Sequence, residues 1–143
     1  EIGCLTYVAE GMADLGVFLP LYQGVTEFPK PYFVGDDKCS DDSAYWTFRK
    51  VMALGMVNYN AYAPIIKETY AALEKENDQR QKEMEDEYVA LVKAGRPMAA
   101  HDLLQAFSDR TLSHALAVAH DLENRLFTRL TADIQKEYMF HGA

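Results

Sequence analysis

Two cysteines and four histidines are the side chains of this sequence best suited to chemistry: Cys4, Cys39, His101, His114, His120 and His141. A thiol becomes a nucleophile when a base or a nearby positive charge converts it to thiolate. Cys4 lies in the run Ile2-Gly3-Cys4-Leu5-Thr6-Tyr7-Val8-Ala9, with no histidine near it in sequence. It is not the first residue, so no free α-amine stands beside it as a base. Cys4 therefore reads as a buried structural thiol. Cys39 follows Lys38 in a polar stretch and reads as an exposed, incidental one. Helix-borne metal ligands need i,i+3 or i,i+4 spacing. His114 and His120 are six residues apart, and His120 and Asp121 are adjacent, so neither pair shares a helix face. There is no glycine-rich phosphate loop and no Gly-x-Ser-x-Gly elbow. Tyr7, Phe18, Tyr22, Tyr45, Trp46 and Phe48 could line an aromatic site, but they fit packing between strands and a first helix better. No self-contained catalytic, metal or cofactor constellation is expected.

Composition narrows the function classes. The chain has 143 residues, of which 22 are acidic and 14 basic, giving a formal net charge of −8. Binding a phosphate backbone needs clustered Lys and Arg, so nucleic acid and anionic membrane surfaces are poor partners. No apolar run reaches the ~18 residues of a membrane span. Hydrophobic residues make up 49 %, enough for a packed core. Two cysteines make no disulfide framework, which suits a reducing cytoplasm, the expected location. The sequence opens at Glu1 and enters a strand-like run at once, which reads as a processed or cut-down chain.

The elements that would carry these residues follow from pattern. Residues 2–9 and 17–22 are short and rich in β-formers, and turn residues separate them. They read as a β-hairpin or strand pair, with Pro20 marking an edge or strand end. Such a pair is marginal alone and needs a helix or more sheet against it. Residues 25–42 read as loop. Asp41-Asp42-Ser43 then offers N-caps for a helix from Ser43 to about Tyr59, with Trp46, Lys50 or Val51, Leu54 and Val57 on one face. Pro64 is expected either in the first turn of a second helix or at a kink in a continuous one. That helix extends to Lys93 and stops at Ala94-Gly95-Arg96-Pro97. Between Glu74 and Glu87 ten of fourteen residues are charged, which reads as a solvated arm held by the pairs Glu76–Arg80 and Asp78–Lys82. Beyond Pro97, Leu103, Leu104 and Phe107 form a patch, and Ser108 or Asp109 could cap a fresh helix. Leu112, Leu116, Ala119, Leu122, Leu126, Leu130 and Ile134 form an apolar stripe, whose natural partner is the second helix folded back antiparallel. The expected fold is mainly α with a small β element: an N-terminal strand pair (1–24), a loop (25–42) and a helical part (43–143) in one domain.

The order of parts carries a resemblance. The run Ile2 to Ala9, a short turn, Gly16-Val17-Phe18-Leu19-Pro20-Leu21-Tyr22, then Val25-Thr26-Glu27-Phe28-Pro29 and Ser43-Ala44-Tyr45-Trp46 resemble the late strands, loop and following helix of bacterial cysteine-dependent dipeptidases. These are N-terminal-nucleophile hydrolases related to secernins and penicillin V acylase. Leu104 to Ser108 is similar to a Leu-x-x-Phe-Ser region in their C-terminal helices. The resemblance implies a parent with a four-layer αββα core that hydrolyses dipeptides through a processed N-terminal cysteine. It places no catalytic residue on this chain. It implies a C-terminal part that completes the fold, with the remainder of the parent chain as its partner and a homo-oligomer contact as a further role. The alternative is a free-standing helical-hairpin interaction module.

Overall fold

The computed structural model describes residues 2–9, 13–35 and 37–141, with side chains as far as 137. Two strands, β1 (Leu5–Ala9) and β2 (Phe18–Tyr22), precede three helices: α1 (Ala44–Val57), α2 (Tyr59–Lys93) and α3 (Pro97–His141). Single 3-10 turns lie at Ala13–Leu15 and Lys30–Tyr32. The fold is mainly α with a small β element, as expected.

The strands pair antiparallel, with Leu5 opposite Tyr22, Tyr7 opposite Pro20 and Ala9 opposite Phe18. The first strand is shorter than the expected 2–9. Gly3 has φ of +95°, a left-handed conformation that breaks the extended run ahead of Leu5. Gln23 N–H donates to the Cys4 carbonyl at 2.9 Å, which makes Cys4–Gln23 a hydrogen-bonded pair. Antiparallel pairs alternate, so Thr6–Leu21 and Val8–Leu19 are hydrogen-bonded and Tyr7–Pro20 is not. Pro20 thus costs the ladder nothing, because the position it fills turns its backbone nitrogen away from β1.

Ser43 caps α1. It is fully buried, accepts from Trp46 N–H at 3.4 Å, and donates its hydroxyl to the Val34 carbonyl at 2.6 Å. The break after α1 falls at Asn58, close to the expected helix end near Tyr59. Asn58 has φ −144° and ψ 79°, and its side chain accepts from Ala61 N–H at 3.4 Å to start α2. Pro64 lies inside α2, in its second turn, where its missing N–H leaves the Asn60 carbonyl without the usual helical donor. At the far end Gly95, with φ +72°, closes α2. Arg96 N–H reaches the Leu91 carbonyl at 2.9 Å and Gly95 N–H the Val92 carbonyl at 3.1 Å, the paired bonds of a Schellman cap. Pro97 then begins α3.

The expected fresh helix at Ser108 or Asp109 does not occur, and α3 runs unbroken for 45 residues, about 68 Å. Neither glycine nor proline stands there. A mid-helix serine costs about half a kcal/mol in propensity, and although the buried Ser108 hydroxyl also lacks a partner among the described residues, the burial of Leu104 and Leu112 on either side returns more.

The main core joins Leu15, Val17 and Leu19 to all three helices through Phe48, Val51, Tyr62, Ile66, Tyr70, Leu112, Leu122 and Leu126. Gly55 lets α1 approach α2 closely, since a Cβ there would stand 2.6 Å from Ile66 Cδ1. Tyr62 Oη reaches Asp133 at 2.6 Å and Glu76 lies 3.5 Å from His114, which fixes α2 and α3 as antiparallel neighbours. The apolar stripe is buried from Leu112 to Leu126, is half-buried at Leu130, and ends at Ile134, 58 % exposed. The charged arm is not solvated all round. Leu73, Asn77, Gln81 and Met84 are buried along one side of it. Glu76–Arg80 closes at 2.6 Å, whereas Asp78 and Lys82 form no ion pair among the described residues.

The stripe's limit is testable. Leu122→Ala should cost about 2–5 kcal/mol in urea unfolding, by cavity formation. Ile134→Ala should stay within about 0.5 kcal/mol. Equal losses at the two positions would contradict the burial described.

Candidate functional site

The structure separates the residues singled out by type. Cys4 is exposed and precedes β1, so its reading as a buried strand thiol is wrong. Cys4 continues the alternation of Thr6 and Val8, and that face of the strand pair is exposed at all three positions. The Cys4 Sγ lies 3.9 Å from the Leu5 carbonyl. Cys39 is exposed in the loop, as expected, and both thiols are free. His101 is exposed on α3. His114 faces Glu76 at 3.5 Å, and His120 faces Glu123 at 3.9 Å. The side chain of His141 lies outside the described residues. No cluster of three potential metal ligands occurs among the described residues.

The aromatic residues do not form one joint between the strands and α1. Tyr22 packs edge-on against Phe107 of α3 at 6.1 Å, and Phe48 tilts against Tyr32 at 6.5 Å. Tyr45 and Trp46 contact each other at 5.4 Å, with the Arg49 guanidinium over the Tyr45 ring. Three separate packing sites share the set.

What the fold assembles instead is a polar seam between one face of the strand pair and α2. Alternation along the strands turns Leu5, Tyr7 and Ala9 of β1 and Phe18, Pro20 and Tyr22 of β2 to a common face. The α2 residues facing them recur at helical spacing. Glu74 accepts the Phe18 N–H at 2.9 Å. Gln81 Oε1 accepts from Tyr7 Oη at 3.2 Å, and Gln81 Nε2 donates to Glu85 at 3.2 Å. Tyr22 Oη donates to the same Glu85 carboxylate. Asn77, 3 % exposed, lies on the seam with its amide nitrogen unpartnered among the described residues. Sequence reading missed this seam because the charged run masks it. The available signal was the spacing of Tyr70, Leu73, Asn77, Gln81, Met84 and Tyr88. Two uncharged amides there continue an apolar stripe through a segment that is otherwise charged.

Electrostatics follow from this packing. Burial pushes the Tyr22 hydroxyl well above the usual tyrosine range, and the Glu85 carboxylate raises it further. Burial alone raises Tyr70, whose hydroxyl also lacks a partner among the described residues. Beside the Phe18 end of the seam, Asp14 accepts from the Tyr59 hydroxyl and pairs with Lys67 at 3.0 Å, and both hold its carboxyl below the ordinary value. Lys50 sits between Asp41 at 2.6 Å and Glu123 at 3.0 Å. Desolvation lowers its pKa, but the two carboxylates outweigh this and leave it raised.

Unfolded tyrosines ionise near pH 10, while folded Tyr22 and Tyr70 keep their protons to higher pH. The unfolded state then binds fewer protons, so stability is full below about pH 10 and falls as pH rises above it. Tyr22→Phe should cost about 1–3 kcal/mol near neutrality, by removing the donor to Glu85. The Tyr22→Phe/Tyr70→Phe double variant should flatten the alkaline fall in urea-unfolding free energy. A slope identical to that of the parent chain would refute the assignment.

A sequence profile of peptidase family C69 matches residues 1–72, which is half of the 143-residue chain. The match takes in the strand pair, the loop, α1 and the first turns of α2, and the tail likeness at Leu104 to Ser108 lies beyond it. No curated protein and no solved structure matches.

Proposed function

We infer the function from one premise: the chain belongs to peptidase family C69. Membership makes the chain related to peptidases. We read it as the non-catalytic C-terminal part of a cytoplasmic dipeptidase. The nucleophile is an N-terminal cysteine in the preceding part, and this chain completes the fold around it. The partner is the remainder of the same polypeptide.

The observation that carries this reading is the inequality of the two sheet edges. The outer edge of β2 is partly taken up: Glu74 accepts the Phe18 N–H, Pro20 has no N–H, and Val25 N–H donates to the Tyr22 carbonyl at 3.1 Å. The outer edge of β1 is open. Leu5, Tyr7 and Ala9 turn their backbone groups outward there, and among the described residues the contact they receive is Cys4 Sγ on the Leu5 carbonyl. Tyr7 and Val8 are 48 % and 42 % exposed beside it. An open edge of this kind invites another strand. A preceding part that brings further strands would add them at β1, the freer of the two edges. A second copy of the chain could use the same edge, and that is the basis for a homo-oligomer contact.

The isolated chain should release no amino acid from dipeptides, and Cys4→Ala should change nothing. Co-expression with the polypeptide encoded upstream of Glu1 should give a stable complex that hydrolyses dipeptides. A start codon directly before Glu1, or turnover by the isolated chain that Cys4→Ala abolishes, would sink the reading.

A further inference from the structure

An open cleft of about 510 Å³ lies where the loop after β2 meets α3, lined by Lys30 and Val34, by Ser40, Asp41 and Asp42, and by His120 of α3. Residues 40–42 form one wall of it, and that wall is a turn held by its own bonds. Asp42 N–H donates to Ser40 Oγ at 3.2 Å, and Ser43 N–H to the Ser40 carbonyl at 3.4 Å. Ser43 is itself a fixed point, fully buried with its hydroxyl on the Val34 carbonyl. A cation ties the turn to the helices. Lys50 Nζ of α1 lies 2.6 Å from Asp41 and 3.0 Å from Glu123 of α3. The two halves of this bridge differ in exposure. The side chains of Lys50 and Glu123 are 22 % and 19 % exposed, and that of Asp41 is 87 % exposed.

We propose that residues 38–42 act as a strap on this cleft, latched by Asp41 to the Lys50–Glu123 pair and released by salt at Asp41 alone. Salt weakens an exposed charge pair far more than a mostly buried one. The Asp41 half therefore opens first, while Lys50 keeps Glu123. The helices do not part instead, because Val51 of α1 and Leu122 of α3 are fully buried in a shared core. No side chain of residues 38–42 is buried, so little apolar contact resists their movement. The strap pivots at Ser43, and its release uncovers His120, which stands in the cleft 3.9 Å from Glu123. Lys50 holds the Asp41 carboxyl below its ordinary value, and His120 adds to this by its charge. The latch thus stays charged through neutrality, and ionic strength is what works it. The proposal rests on the latch and the cleft, and stands or falls separately from the role in a larger enzyme.

Cys39 lies in the strap and is exposed, so a nitroxide attached to it in a Cys4→Ser background reports strap motion by electron paramagnetic resonance. Raising sodium chloride from about 10 mM to about 1 M shortens the screening length from about 30 Å to about 3 Å, and should raise the mobile fraction about threefold. Asp41→Asn should give the mobile spectrum at both concentrations, with an unchanged melting temperature. Asp42→Asn, at the neighbouring exposed carboxylate, should respond to salt as the parent chain does. Access to the cleft is read separately, by the rate at which diethyl pyrocarbonate modifies each histidine. At low salt His120 should react about threefold faster in Asp41→Asn than in the parent chain, and the exposed His101 at the same rate in both. A salt response that survives in Asp41→Asn, or identical low-salt spectra of parent and variant, would overturn the latch. A freed strap with unchanged His120 reactivity would overturn its place over the cleft.

Discussion

Strand β2 depends on the α2–α3 hairpin, and the rest of the structure depends on that contact. A two-stranded sheet is marginal in water. Here β2 lies against both long helices, with Leu19 and Tyr22 each 4 % exposed. Leu19 belongs to the core shared with α3, while Tyr22 joins Val25, Met84 and Leu104 in a second cluster. The hairpin is fixed in turn by the Gly95 cap, because only a left-handed residue there sends the chain back with both cap bonds made. Burial of β2 then imposes a polar requirement on α2. A strand edge presented to a helix must find acceptors for its N–H groups, and Glu74 supplies one to Phe18.

Much of this is legible in the sequence where one residue type has one physical use. Gly95-Arg96-Pro97 ends one helix and starts the next as its chemistry demands. Ser43 caps α1, and the leucines from 112 to 126 bury a single face. The errors have a common origin, since each involves a residue whose local preference was outweighed. Pro64 is a helix breaker only where the helix can be broken at no loss. Tyr62 and Ile66 are buried on either side of it, at 1 % and 0 % exposure, so their packing holds the helix through the proline, one turn deeper than the first-turn position expected for it. Ser108 is a good cap, but burial along α3 outweighs that preference. Cys4 was misplaced because the face it shares with Thr6 and Val8 is left exposed, which the apolar character of the run does not reveal.

The charged arm shows why composition alone misleads about a surface. Ten charges in fourteen residues describe a helix that is polar on average, yet the average mixes two faces. Asn77 and Gln81 are the uncharged exceptions on the inward side. An amide can be buried beside a strand at modest cost when it finds partners, and a carboxylate or ammonium cannot. Gln81 finds Tyr7 and Glu85; Asn77 leaves its nitrogen unmet among the described residues.

The unmet amide and the open edge of β1 are neighbours in the fold. Tyr7 presents its backbone to the open edge and its side chain to the seam on α2. A strand added beside β1 would place alternate side chains on the same face as Tyr7. Tyr7 also lines an open cleft between the strand pair and α2. Whatever pairs with β1 therefore borders the cleft lined by Glu74, Asn77 and Asp78.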